Sequence, residues 1–224
     1  RTSAAVAPTT PAPMMAMRAW VMVVPFGGRI DRLLRGGSGG RGAGAGVAGV
    51  RQVRAVEQEV ADGAGLLDGR VVTSARLIPC NRPTLVSDVF PHFCERAGVP
   101  DRPDWIEWTR TLTVPELRSG GRQSILTQLC AAVMEYCLQE GAAKVGGIQE
   151  LFFLPKWKHL GWKTTPLGLP QEIEGSGECV VAFIDVNETA LGNIRTVLGT
   201  GRSPLRHRGE RPRLIDGDRV EFTQ

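Results

Sequence analysis

The chain has 224 residues, 42% of them hydrophobic, and a formal net charge of +4, which leaves room for one packed domain with tails and excludes a chain disordered throughout. No run approaches the roughly 18 apolar residues of a membrane span, and the five cysteines and three histidines fall into no Cys-x-x-Cys or metal-ligand spacing. A cytoplasmic monomer with reduced thiols, no metal and no cofactor is expected.

Taken in chain order, the first 65 residues read as a low-complexity arm. Residues 1–55 carry eight Arg against one acid, Asp31, and eight of the 14 positions from Gly36 to Gly49 are Gly, so little apolar surface is available to offset ordering entropy. Ala19–Phe26 resembles a signal segment faintly, but no small-residue cleavage site follows it. The arm's basic charge comes without aromatic interleaving or helical periodicity, which argues against nucleic-acid binding.

From Leu66 the character changes. Val71–Ile78 predicts a strand, Leu85–Arg96 a short helix, and Trp105–Val114 a second strand rich in Thr and Trp. Ser124–Glu140 has helical spacing and stops at Gly141. Lys144–Gln149 is a short strand, Leu151–Leu160 a helix ended by Gly161, and Cys179–Val186 a buried strand. Asn187 caps a last helix running to about Leu198. The polar 199–224 reads as a loose tail. The pattern predicts an α/β fold, a mixed sheet with helices on its faces.

Several residues carry chemistry. Arg76 lies inside an apolar strand and requires an anionic partner, unless it points to water from an edge strand. Glu107 and Arg110 share one strand at odd spacing, which places a charge on each face of a regular strand. A bulge between them would re-aim one; a structural ion pair at a sheet edge is the other reading. All four lysines, Lys144, Lys156, Lys158 and Lys163, fall within twenty residues, as a dock for an acidic carrier protein or as a solvated face. Arg118-Ser-Gly-Gly121 lies between a strand and a helix, where backbone N–H groups could meet a phosphate. Gly44–Gly49 fits a dinucleotide fingerprint, but no strand precedes it.

Arg76-Leu-Ile-Pro79, Leu85-Val-Ser-Asp-Val-Phe-Pro91 and Trp105-Ile-Glu-Trp-Thr-Arg110, followed by Gly161-Trp162 and Pro166–Ile173, together resemble the acyl-homoserine-lactone synthase family over residues 66–198. The resemblance implies an acetyltransferase-like fold and quorum-signal synthesis. The amine of S-adenosylmethionine would attack an acyl thioester on acyl carrier protein, and lactonisation would expel methylthioadenosine. It also implies Glu107 and Arg110 as catalytic groups. Arg76, Thr109, Trp105, Arg118 and Gly121 would bind substrate, and the lysines would dock the carrier. A generic acetyltransferase-type N-acyltransferase using acyl-CoA is the rival enzyme.

The family's Arg-x-x-x-Phe-x-x-x-x-x-Trp region and its acidic pair are not found in residues 1–65. Read one base late, Leu34-Arg-Gly-Gly37 can encode Phe-Val-Glu-Glu, and Arg51-Gln-Val-Arg54 can encode Asp-Arg-Phe-Glu. Both are similar to the missing motifs. The chain as written is therefore expected to be inactive, with an arm that adds nothing to the sheet.

Overall fold

Alternating burial along Val71–Cys80, with Val72, Ala75 and Leu77 inside, is the pattern of a strand with one face deep in the core and the other partly covered. The computed structural model describes residues 19–23, 61–67, 70–118, 124–207, 211–212, 214–215 and 219–220. The strands are β1 (Ala19–Val23), β2 (Ala61–Leu67), β3 (Arg70–Pro79), β4 (Trp105–Thr113), β5 (Lys144–Glu150), β6 (Thr164–Pro166), β7 (Gln171–Ile173), β8 (Gly177–Asp185), β9 (Leu205–His207), β10 (Arg211–Pro212) and β11 (Arg219–Val220). The helices are α1 (Leu85–Asp88), α2 (Ile125–Gln139), α3 (Phe153–His159) and α4 (Glu188–Leu198).

One sheet runs β6-β8-β5-β4-β3-β2-β1-β9, with β7 also on β8. It is antiparallel except where β4 meets β5 and where β1 meets β9. On one face α2, α3 and α4 bury Leu129, Val133, Trp157 and Ile194 against Leu77, Ile106 and Ile184. On the other, α1 and the 3-10 turn Pro91–Cys94 cover a smaller cluster of Val86, Phe93, Val181 and Phe183. This is the α/β fold expected.

The local signals hold at the helix ends. Ser124 and Asn187 cap α2 and α4, accepting from the N–H groups of Thr127 and Ala190 at 3.1 and 2.8 Å. Gly141, at φ +78°, ends α2 in the left-handed region. The helix expected over Leu85–Arg96 is shorter, because Pro91 cannot continue it; the chain turns into the 3-10 segment instead.

Two expectations about the ends are corrected. The boundary drawn at residue 65 falls inside β2, which pairs with β3 from Ala61↔Leu77 to Leu67↔Arg70, and β1 pairs with β2 beyond it. The sheet therefore has strands where the arm was expected to supply none. The segment after Leu198 is also tied down: Leu205 and Leu214 are buried in the main core. The Leu214 N–H donates to the buried Glu140 carboxylate at 2.6 Å. The Arg-rich composition hid both apolar anchors. Leu34–Arg54, including the Gly-rich fingerprint, lies outside the described residues.

Candidate active site

β4 and β5 run side by side for only three register pairs, Trp105↔Lys144, Ile106↔Val145 and Glu107↔Gly146, and then part. β5 stays on β8 along its whole length, and β4 stays on β3. Backbone that would have closed the β4–β5 ladder is left facing a wedge. The wedge opens into a cavity of about 930 Å³.

β4 carries the bulge expected from its two charges. The β3 register shifts between Ser74↔Leu112 and Arg76↔Thr109, and Arg110 has φ +51°, the left-handed conformation a bulged residue takes on at a cost. The carbonyl of Arg110 accepts from the Ser74 hydroxyl at 3.2 Å. Its side chain is exposed at the cavity. Thr109, one residue earlier, lines the cavity too.

Glu107 takes a different position. It is fully buried and absent from the cavity wall. Its two oxygens accept from the N–H groups of Leu85 at 3.0 Å and Val86 at 2.9 Å. These are the unpaired donors at the start of α1, whose N-cap Thr84 forms a reciprocal capping box with Ser87. Burial pushes the Glu107 carboxyl above its ordinary range, and the hydrogen bonds from Val86, Thr84 and Leu85 offset part of that rise. Because Glu107 holds α1 in place, its replacement is expected to disturb folding as well as the site.

β5 supplies Gly146 and Gly147 to the wedge. A Cβ on Gly146 would collide with the Ala182 carbonyl. One on Gly147 would lie 3.3 Å from both Glu107 Cγ and the Trp108 carbonyl oxygen. Gln149, further along β5, escaped the sequence reading. It lines the cavity, yet among the described residues neither its amide nor the Trp108 Nε1–H finds a hydrogen-bond partner.

The remaining expected residues divide. Arg76 is half-buried, with Asp62 and Thr109 as its cross-strand neighbours. In register it shares a face with Glu107. Arg118 lines the cavity and donates to the Thr113 carbonyl at 3.1 Å; Gly121 lies outside the described residues. Trp105 is not at the cavity: it packs against Phe183, with ring centroids 5.0 Å apart, in the smaller core. The lysine cluster is split. Lys144 pairs with Asp185, which also takes Lys163 at 3.4 Å, and Lys144 lies 5.4 Å above the Trp105 ring. Lys156 and Lys158 are exposed on α3, and only Lys156 lines the cavity.

All five cysteines are free and buried. Cys130 and Cys179 line the cavity, but burial pushes the Cys130 thiol up to about 12 and raises that of Cys179. Neither is a competent thiolate nucleophile. Among the described residues no group of three His, Cys, Asp or Glu side chains could hold a metal ion, and no helix is long and apolar enough to cross a membrane.

A mixed sheet whose bulged central strand parts from a parallel neighbour over a largely apolar cavity is the framework of an acyltransferase. The chain belongs to the autoinducer synthase family, whose model matches residues 58–194. It is 35% identical over 150 residues to the isovaleryl-homoserine lactone synthase of Bradyrhizobium diazoefficiens, covering 66% of this chain and 67% of that one. Among solved structures it is similar to BjaI, a CoA-dependent acyl-homoserine lactone synthase determined with SAM and isopentyl-CoA. There the TM-score is 0.66 at 32% identity, over 74% of this chain and 76% of that one. A second CoA-dependent acyl-homoserine lactone synthase, MesI, aligns with a TM-score of 0.60 at 26% identity, over 68% and 76%.

Proposed function

We propose that the chain's framework makes an N-acyl-homoserine lactone from S-adenosylmethionine and an acyl thioester. The carrying observation is the wedge itself: β4 backbone beyond the end of the β4–β5 ladder, beside a cavity of about 930 Å³ that has room for an acyl thioester. In the first step the neutral amine attacks the thioester carbon. Backbone N–H groups of the bulged strand receive the developing oxyanion, and collapse expels the thiol as the amine gives up its proton. In the second step the methionine carboxylate attacks its own γ-carbon. The sulfonium takes the C–S electron pair and leaves as neutral methylthioadenosine.

Arg110 suits the substrate carboxylate, as an exposed guanidinium at the cavity, and Thr109 offers a hydroxyl beside it. Arg76, with Asp62 opposite it in register, stands on the face toward which the amine would come. Glu107 is enclosed by α1, so its part is to position β4 and α1 rather than to take the proton. Glu150 is the carboxylate on the cavity wall.

Coenzyme A is the favoured carrier of the acyl group. Two similar structures are of CoA-dependent synthases, and Lys144 is taken up by Asp185 rather than offered to an acidic carrier protein. The test is mass spectrometry of products from a version with the codons for residues 34–54 read one base late, given S-adenosylmethionine and a panel of acyl-CoA and acyl-carrier thioesters. An acylated amine other than homoserine lactone would favour the generic N-acyltransferase.

A further inference from the structure

A large aromatic side chain stands in the open at the start of α3. Phe152 is 54% exposed, although burying such a ring is worth roughly 1.5–3 kcal/mol. It stacks on Phe153, with ring centroids 4.4 Å apart and planes 28° apart. The Lys156 ammonium lies 4.6 Å from the Phe152 centroid and 4.7 Å from that of Phe153. Phe153 and Lys156 belong to the cavity wall and Phe152 does not, so the stack leads from the cavity out to solvent. Arg118, which follows the 3-10 turn Pro115–Leu117, lines the same cavity.

We infer that Phe152, Phe153 and Lys156 form the seat for the nucleotide end of an acyl-CoA donor. This rests on the acyl-thioester reading above and specifies which thioester the site is built for. An acyl group in the wedge must trail its pantetheine arm outward, and what stands at the exit has two properties. It offers a flat apolar face, on which a purine stacks irrespective of hydrogen-bonding pattern. It also holds a cation, Lys156, suited to phosphate. A carrier protein presents one phosphodiester and an acidic helix; it has no base to stack. The aromatic face therefore distinguishes the two donors, where the cation alone would not.

The test is calorimetric titration of the full chain with two non-reactive thioethers bearing the same acyl-length alkyl group, one of coenzyme A and one of pantetheine. It reads binding and needs no turnover. The coenzyme A thioether should bind roughly ten-fold or more tightly than the pantetheine thioether, the range expected of one stacked base with phosphate pairing. Phe152→Ala should remove most of that advantage while binding the pantetheine thioether as the parent does. Lys156→Ala should weaken the coenzyme A thioether and flatten its salt dependence. Equal affinity of the parent for both thioethers, or an advantage untouched by both substitutions, overturns this inference alone. Tight binding of acyl carrier protein that Phe152→Ala abolishes, without a coenzyme A advantage, also overturns it, making the face a protein dock. Failure of both thioethers to bind overturns the acyl-thioester reading beneath it as well.

Discussion

Replacing Glu107 by Gln tests the connection between β4 and α1. In the parent both carboxylate oxygens accept, from the N–H groups of Leu85 and Val86. Gln keeps one acceptor and turns an NH₂ toward the other N–H, leaving a buried donor without a partner and two donors facing each other. Hydrogen bonds to charged groups contribute about 1.5–3 kcal/mol each, and an orphaned buried donor costs about 1–3 kcal/mol. The offset is the desolvation of the charge, which burial makes expensive enough to raise the carboxyl's proton affinity and which the neutral amide avoids. The net expected loss is about 2 kcal/mol, or roughly 4–8 °C in Tm for a chain of this size. Urea unfolding gives the free energy, and limited proteolysis should show faster cutting within residues 84–90. In a version with the codons for residues 34–54 read one base late, turnover should drop while the pH profile of kcat keeps its shape. Unfolding within about 0.5 kcal/mol of the parent, the usual range of an inconsequential surface change, would refute the positioning role. Loss of the profile's acid limb alone would restore Glu107 as proton acceptor.

The other predictions concern separate parts of the molecule. Gln149→Leu removes a shielded amide without a partner from a half-buried position and should stabilise the fold by up to about 1 kcal/mol, read by urea unfolding; destabilisation would mean that the amide is satisfied in solution. Asp185→Asn should cost about 1 kcal/mol at neutral pH. The Lys144 hydrogen bond holds the Asp185 carboxyl below its ordinary value of 3.8, so its contribution is present above that value and lost as pH falls through the lowered one. The gap between parent and variant should therefore close below about pH 4. Finally, a version with the codons for residues 34–54 read one base late should make homoserine lactone, and the chain as written should make little or none; equal product from both would sink the frame reading.

What could be read in the sequence was whatever announced itself locally. Strands β3, β4 and β8 and helices α2 and α4 carry their own periodicity and caps, so their bounds fall within a residue or two. Even the bulge was legible, because Glu107 and Arg110 impose charges on both faces of a strand that cannot tolerate them. What Glu107 touches was not legible, since its partners Leu85 and Val86 lie 22 and 21 residues away and belong to a helix only four residues long. β2, with the sequence Ala-Asp-Gly-Ala-Gly-Leu-Leu, has almost no intrinsic strand preference; pairing with β3 makes it one. Lys144 looked like part of a surface cluster because its neighbour in space, Asp185, is 41 residues away.

The wedge persists because each strand bordering it is held from its far side. β5 is pulled against β8, closely enough at Gly146 that a Cβ would strike the Ala182 carbonyl, and seven register pairs keep it there. β4 is held by β3, and its extra residue at Arg110 turns the strand as the two part. Closing the gap would mean giving up one of these ladders to make another, with no net gain in hydrogen bonds. Glu107 sits where the two strands begin to separate, paired with Gly146 in register and reaching into α1. A bulky residue at Gly147 would press on the Glu107 Cγ and on the Trp108 backbone, coupling the width of the wedge to the seating of α1. Burial away from the cavity wall is thus no obstacle to its importance: hydrogen-bonded from β4 into α1, Glu107 joins the strand and the helix where the wedge begins.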